Sequence, residues 1–343
     1  MSKLYPLKID AYSHIATQKY KEALEKIAPE AADEKSWGPS KFGTSPPLYD
    51  LDHRFRIMDR YDGLMQVIVP AWPAVEEVAD PKAAVDLARL ANDEMAALVH
   101  KYPDRFVAAI GCLPMNNIDA ALEEADRAIN DLRFRGVLIY TPIDDKPLDS
   151  PEFMPLYEKM AHYDLPILIH PMRPPTYADY RTQQVSKYRI FCTFGWPYET
   201  TAAMTCIVFG GILEKFPNLK FITHHCGGMV PYFAERIKQF HEVGEMKRGL
   251  RYMQGLTKTP LDYYKMFYND TAIYGNTPAL MCAHAFFGAD HLLFGIDMPL
   301  GDVQHGNRNY RQTINAIEQM DVTDAEKKQI YEDNARRIYR LPV

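Results

Sequence analysis

Four imidazoles and two carboxylates stand where apolar runs stop. Asp10 ends the first such run and His14 follows four residues later. His170 closes Ile-Leu-Ile-His-Pro, His224 and His225 close Ile-Thr-His-His-Cys-Gly-Gly, and Asp297 follows Leu-Phe-Gly-Ile. Imidazole and carboxylate together suit zinc or another divalent first-row metal. Such an ion acidifies a bound water or polarises a substrate oxygen. One histidine at a strand end is ordinarily a hydrogen-bonded structural residue, and an isolated Asp297 reads as a loop or helix cap. The joint pattern points to a metal centre.

The elements that must position these groups can be read from the same runs. Residues 7–10, 64–69, 106–111, 136–140, 167–170, 219–224, 266–270 and 292–296 are short and apolar, as expected of parallel strands covered on both faces. Between them, 83–102, 118–132, 151–163 and 199–216 carry apolar residues at helical spacing. Eight strands alternating with helices predict one α/β domain over 1–343, a (β/α)8 TIM barrel with its active site at the C-terminal strand ends. No Gly-x-Gly-x-x-Gly follows the first strand, which argues against a dinucleotide fold. Segments 16–51 and 171–197 fit no repeat and are expected to be insertions over the barrel mouth. The fourth strand ends Val-Leu-Ile-Tyr, without a Lys or Glu to bridge two ions, so the expected centre holds one metal.

An apolar share of 47% and a net charge of −6 describe a globular chain with a large core and no basic surface for nucleic acid. The first residues lack the apolar core of a signal peptide, and no apolar run is long enough to span a membrane. The five cysteines are scattered, with no Cys-x-x-Cys, so a reduced cytoplasmic compartment is expected.

Several stretches resemble the amidohydrolase superfamily, in the branch of aminocarboxymuconate semialdehyde decarboxylase and γ-resorcylate decarboxylase. They are Ile9-Asp10-Ala11-Tyr12-Ser13-His14, Phe55-Arg56-Ile57-Met58-Asp59, Tyr102-Pro103-Asp104-Arg105-Phe106, Ile169-His170-Pro171, His225-Cys226-Gly227-Gly228, Phe294-Gly295-Ile296-Asp297 and Asn334-Ala335-Arg336-Arg337. Each is weak alone; their order and spacing are specific. The resemblance implies that His14, His170 and Asp297 are metal ligands and His225 the catalytic histidine. It also implies that Arg236 holds a substrate carboxylate, across a subunit boundary, in a homodimer or higher oligomer. A guanidinium fork suits that task.

One position departs from the family. Tyr12 stands where the first motif histidine belongs, and a neutral phenol is a poor ligand. It is read as a phenolate ligand, a hydrogen-bond donor to substrate, or a gap in the ligand set. Asp10 and His224 are read as lying behind the ligands and orienting them, with ligation in place of Tyr12 as the other option.

The resulting expectation is a metal-dependent, non-oxidative decarboxylase of a small aromatic or unsaturated carboxylic acid, using one zinc or manganese ion. His225 or Asp297 would deliver the proton. Trp196, with Trp37, Trp72, Tyr177 and Phe194, offers walls for a flat substrate. The alternatives are a metal-dependent hydrolase of a lactone or ester, a hydratase, and a barrel that only binds.

Overall fold

Strand positions alternate between two apolar environments. Val137, Ile139, Ile167 and Ile169 pack in a core shared with the surrounding helices. Leu138, Tyr140, Leu168, Ile222 and Leu293 belong to a second core, inside the ring of strands. The two-residue period of a strand produces this division, and it explains why the runs are apolar throughout.

The computed structural model describes residues 7–29, 45–251 and 253–342. Its strands are β1 (Lys8–Ile15), β2 (Leu64–Pro70), β3 (Phe106–Ala109), β4 (Gly111–Cys112), β5 (Val137–Thr141), β6 (Ile167–Pro171), β7 (Phe221–Thr223), β8 (Tyr268–Asp270) and β9 (Leu292–Leu293). Every neighbouring pair is parallel, in the orders β1-β2-β3 and β4 through β9. β3 and β4 are one run interrupted at Ile110, whose N–H bonds Ile68 O at 3.0 Å. The outer strands are also linked: Ala11 N–H donates to Phe294 O at 2.7 Å, and Ser13 forms a parallel bridge with Met298. The architecture is the eight-stranded α/β barrel expected from the sequence.

Helices cover the outside. Pro81–Lys101 starts where Asp80 accepts from the N–H groups of Lys82 and Ala83 at 2.9 and 3.1 Å, with proline at the first helical position. The single helix expected over 199–216 is instead Gly195–Phe209 followed by Ile212–Lys215. Gly211, at φ +71°, breaks it, a conformation that few other residues adopt cheaply.

Strand ends also differ from expectation. β1 runs on to Ile15, so His14 lies within a strand and not beyond one. β7 and β9 are shorter than expected, leaving His224, His225 and Asp297 in the connections after them. Of segment 16–51, the helix Gln18–Ile27 and the 3-10 turn Pro46–Leu48 are described; Trp37 lies outside the described residues. Segment 171–197 is mostly loop, with the short helix Ile190–Thr193. No helix among the described residues is long and apolar enough to cross a membrane, and all five cysteines are unpaired.

Candidate metal centre

Inward parity carries the key side chains to the mouth. Leu168 faces the interior, so His170, two residues on, sits above it; Ile222 places His224 in the same way. In β1 the pairing shifts register between Asp10 and Ser13. Ile9 and Ala11 pack inside below the shift, Tyr12 above it, and His14 stands two residues beyond Tyr12. A one-residue irregularity exchanges the two faces of a strand, and here it turns Tyr12 and His14 inward.

One donor atom from each of His14, His170, His224 and Asp297 lies within 4.8 Å of the others, and all four residues are buried. Asp297 Oδ1 is 3.2 Å from His14 Nε2 and 3.3 Å from His224 Nε2. None of these three atoms has a hydrogen bond of sound geometry in the protein. Each buried polar atom left this way costs about 1–3 kcal/mol, so a convergent set is what a cation would satisfy.

The opposite ring nitrogens are all held. His14 Nδ1–H donates to Pro70 O and His170 Nδ1–H to Pro171 O, both at 2.8 Å. Because a carbonyl only accepts, the proton is fixed on Nδ1 and the Nε2 lone pair is left for a metal. His224 Nδ1 bonds Asp270 Oδ2. Asp270 Oδ1 accepts from the N–H groups of Cys226 and Ala272 at 3.2 and 3.0 Å. Asp270 was not singled out from the sequence, although it closes an apolar strand as the others do.

The connection after β7 is sharply bent. His225, Cys226, Gly227 and Gly228 have φ of 55, 57, 77 and 59° in succession. A Cβ on Gly227 would meet Phe287 at 2.8 Å, and one on Gly228 would meet Pro197 O at 2.6 Å, so both glycines are sterically required. The bend leaves His225 buried, 3.9 Å from the His224 ring centre and 6.2 Å from that of Trp196. Its Nδ1 has no hydrogen-bond partner in the protein.

Charges follow from burial and neighbours. Burial opposes charge on His224, but Asp270 and Asp297 outweigh it and push its pKa up to about 10. Burial and the adjacent His224 hold His225 down to about 3, and burial with His224 and His14 keeps His170 well below its ordinary value. Burial works against ionised Asp297, yet His224 and His14 keep its carboxyl well below the usual carboxylate range. Burial pushes Tyr12 far up, which disfavours the phenolate ligand considered for it. Its ring stacks on His224 at 4.3 Å and its hydroxyl is buried without a partner.

The remaining sequence candidates divide sharply. Asp10 lies behind the group, accepting from Ser13 Oγ at 2.6 Å, from the Tyr310 hydroxyl, and from the N–H groups of Tyr12 and Ile296. His224 lies within the group and not behind it. A cavity of about 610 Å³ opens onto Asp297 and His225, and Trp196 lines it. Arg236, Trp72, Tyr177 and Phe194 do not line it. Arg236 lies on the exposed helix Val230–Arg248, 4.3 Å over the Phe240 ring. Arg189 and Tyr274 do line the cavity and were missed; they sit in loops, where periodicity carries no signal. Arg54, fully buried, was missed too: it donates to His14 O at 2.8 Å and to Gln66 Oε1 at 2.7 Å.

A buried His–carboxylate group at the mouth of a parallel barrel is the signature the resemblance led us to expect. Residues 26–341 match the amidohydrolase family Amidohydro_2, and the chain belongs to that family. It is 30% identical over 297 residues to a γ-resorcylate decarboxylase of a Rhizobium species, covering 84% of this chain and 87% of that one. Its fold is similar to that of a 5-carboxyvanillate decarboxylase from Novosphingobium aromaticivorans, with a TM-score of 0.83 and 24% identity, over 99% of this chain and 97% of that one. It is also similar to a dihydroxybenzoic acid decarboxylase from a Polaromonas species, solved with manganese and 2-nitroresorcinol. There the TM-score is 0.76 and the identity 26%, over 97% of each chain.

Proposed function

We propose that this chain is a metal-dependent, non-oxidative carboxy-lyase acting on a small aromatic or unsaturated carboxylic acid. The observation that carries the reading is the set of buried, unpartnered donor atoms on His14, His224 and Asp297, beside a cavity sized for one small ring. The decarboxylase names of the relatives support the reaction type.

In this reading His14, His170 and Asp297 hold one divalent ion, and His224 takes the place that Tyr12 leaves vacant. Three imidazoles and a carboxylate suit zinc; the manganese in the Polaromonas structure supports the other candidate. A bound cation supplies positive charge that steadies the substrate carboxylate and the electrons left on carbon when carbon dioxide departs. Tyr12 offers its buried hydroxyl to a substrate oxygen, and Trp196 provides a face for the ring. His225 enters as neutral imidazole and Asp297 as carboxylate. The proton that ends on carbon therefore arrives with the substrate or with water at the mouth, and His225 passes it across.

Arg236 does not line its own chain's cavity, which fits a role at a neighbouring copy. The helix that bears it also exposes Tyr232, Phe240 and Met246. A homodimer or higher oligomer is the assembly we propose; a monomeric mass by light scattering would refute it. The unpaired cysteines support a cytoplasmic location.

The test of the reaction is carbon dioxide release from hydroxybenzoates and muconate-like acids by zinc- or manganese-loaded protein. Product that gains water with no gas evolved would overturn the decarboxylase in favour of a hydrolase or hydratase.

A further inference from the structure

The inward turn of Tyr12 and His14 depends on the irregular middle of β1, and one buried network spans it. Pairing with β2 is regular up to Asp10 and resumes at Ser13. Below the irregularity, the Asp10 carboxylate accepts from Ser13 Oγ at 2.6 Å, from the Tyr12 N–H at 3.2 Å and from the Tyr310 hydroxyl. Gln66 of β2 donates from Nε2 to the Tyr310 oxygen at 2.6 Å, and its Oε1 accepts from Arg54 Nε at 2.7 Å. Above the irregularity, Arg54 Nη1 donates to His14 O at 2.8 Å and to Pro47 O at 3.1 Å.

Arg54 lies on the helix Leu51–Met58 and is fully buried. Burial lowers its pKa only to about 10, so the guanidinium is charged at neutral pH. Its hydrogen-bond acceptors among the described residues are two backbone carbonyls and one amide oxygen. Such a charge is costly to bury, and an apolar side chain would serve packing alone as well or better. What the planar fork adds is a joint between three segments: β1 at His14, β2 at Gln66 and the turn Pro46–Leu48. That turn also holds β1 directly, through Ala16 N–H to Leu48 O at 2.9 Å, and Ser45 beside it lines the cavity. The Pro70 carbonyl orients the His14 ring. Arg54 fixes the backbone from which that ring projects.

We propose that Arg54 is a positioning residue for the metal centre: with Gln66, Tyr310 and Asp10 it holds the β1 irregularity and so aims His14 at the ion. The proposal rests on the metal-centre half of the reading above and is independent of the reaction catalysed. Groups that support a ligand typically change metal affinity about 10- to 100-fold. Arg54 acts through the backbone of His14 and belongs at the low end of that range.

The test measures zinc affinity by competition against a chelator for wild type, Arg54→Lys and Arg54→Met. Visible absorption of the cobalt-loaded proteins and thermal unfolding of the metal-free ones are recorded alongside. Arg54→Met should bind zinc about tenfold more weakly and shift the cobalt bands. Arg54→Lys keeps the charge without the fork and should fall between the two. A role confined to holding the fold would lower the melting temperature and leave zinc affinity and cobalt spectrum at wild type; that result overturns the proposal. Should Arg54→Met fail to fold, Tyr310→Phe carries the test, since it removes only the hydroxyl between Gln66 and Asp10. Zinc affinity about threefold weaker is expected there, as for one lost hydrogen bond, and wild-type affinity overturns the proposal. Wild type that takes up neither zinc nor cobalt overturns the metal centre, and the positioning role with it. An intact Arg54 effect on zinc, with no carbon dioxide released from hydroxybenzoates by zinc-loaded wild type, sinks the decarboxylase and leaves Arg54 in its role.

Discussion

The floor of the site and its mouth are built by different means. On the floor, His14, His170, His224 and Asp297 are each at most 3% exposed, and every imidazole has its far nitrogen tied to a carbonyl or a carboxylate. At the mouth, Arg189 and Tyr274 are exposed loop residues, and Trp196 is half-buried. Strands β1 and β6 carry His14 and His170, and the first residues after β7 and β9 carry His224 and Asp297, so the floor stays tied to the barrel wall. Loops fix the mouth, which can change without disturbing the buried His–Asp group. The comparison teaches a division of construction: a buried, hydrogen-bonded group below, more exposed loop and helix-end side chains above.

The strongest way to break this division is to damage the floor. His170→Ala removes one of four donors, and we expect metal content to fall from about one ion per chain to a small fraction. Any decarboxylation should drop at least about a thousandfold. Elemental analysis and a carbon dioxide assay check this, with circular dichroism to show that the barrel persists. Undiminished metal in the variant would mean that the ion sits elsewhere.

A milder cut lies behind the floor. Asp270→Asn keeps the shape beside His224 but removes the charge that its Nδ1 bonds. Loss of such a support typically lowers metal affinity about 10- to 100-fold. Competition against a chelator measures it. Wild-type affinity would show that His224 needs no carboxylate behind it, and would weaken its place among the ligands.

The contrast also explains what was legible in the sequence. The eight apolar runs gave the strands, the ionisable residues at or just beyond their ends gave His14, His170, His225 and Asp297, and the family resemblance marked His14, His170 and Asp297 as the ligand candidates. The same signal marked Asp270, where it passed unread. Parity would also have separated His224 from His225: Ile222 faces inward, so residue 224 must follow it, whereas His225 reaches the cavity only through four successive positive-φ residues. A run of that kind leaves no periodic trace beyond its two glycines. The register shift in β1 was equally hidden, because Tyr12 and Ser13 have no composition that announces a bulge. Arg189 was lost for a related reason. A cation in a loop looks like any solvated charge until the fold lays it along a cavity.

At the mouth the expected effects are smaller and of another kind. Trp196→Ala removes a ring that lines the cavity while its Nε1–H holds Arg173 O at 3.1 Å. Metal content should stay at the wild-type level, KM should rise about tenfold, and kcat should change less. Steady-state kinetics with parallel elemental analysis separate the two quantities. Loss of metal in this variant would erase the distinction between floor and mouth.

The smallest effect belongs at the opposite end of the barrel, where no chemistry is expected. Asp164 ends the helix Met154–Tyr163 in a left-handed conformation and receives Lys220, just before β7, and Arg340, just after the last helix. Burial favours its neutral form, but Lys220 and Arg340 outweigh that and lower its pKa below the ordinary 3.8. A carboxyl depressed in the folded state stabilises folding above its unfolded pKa, and that contribution fades as pH falls through the folded value. Asp164→Asn should therefore lower stability by less than about 1 kcal/mol at pH 5–8, because the group is partly exposed. The gap from wild type should close below about pH 4, while metal content and turnover stay unchanged. Urea denaturation at several pH values reads the gap. A difference that persists at low pH would assign the loss to packing of the helix end and not to the ion pairs.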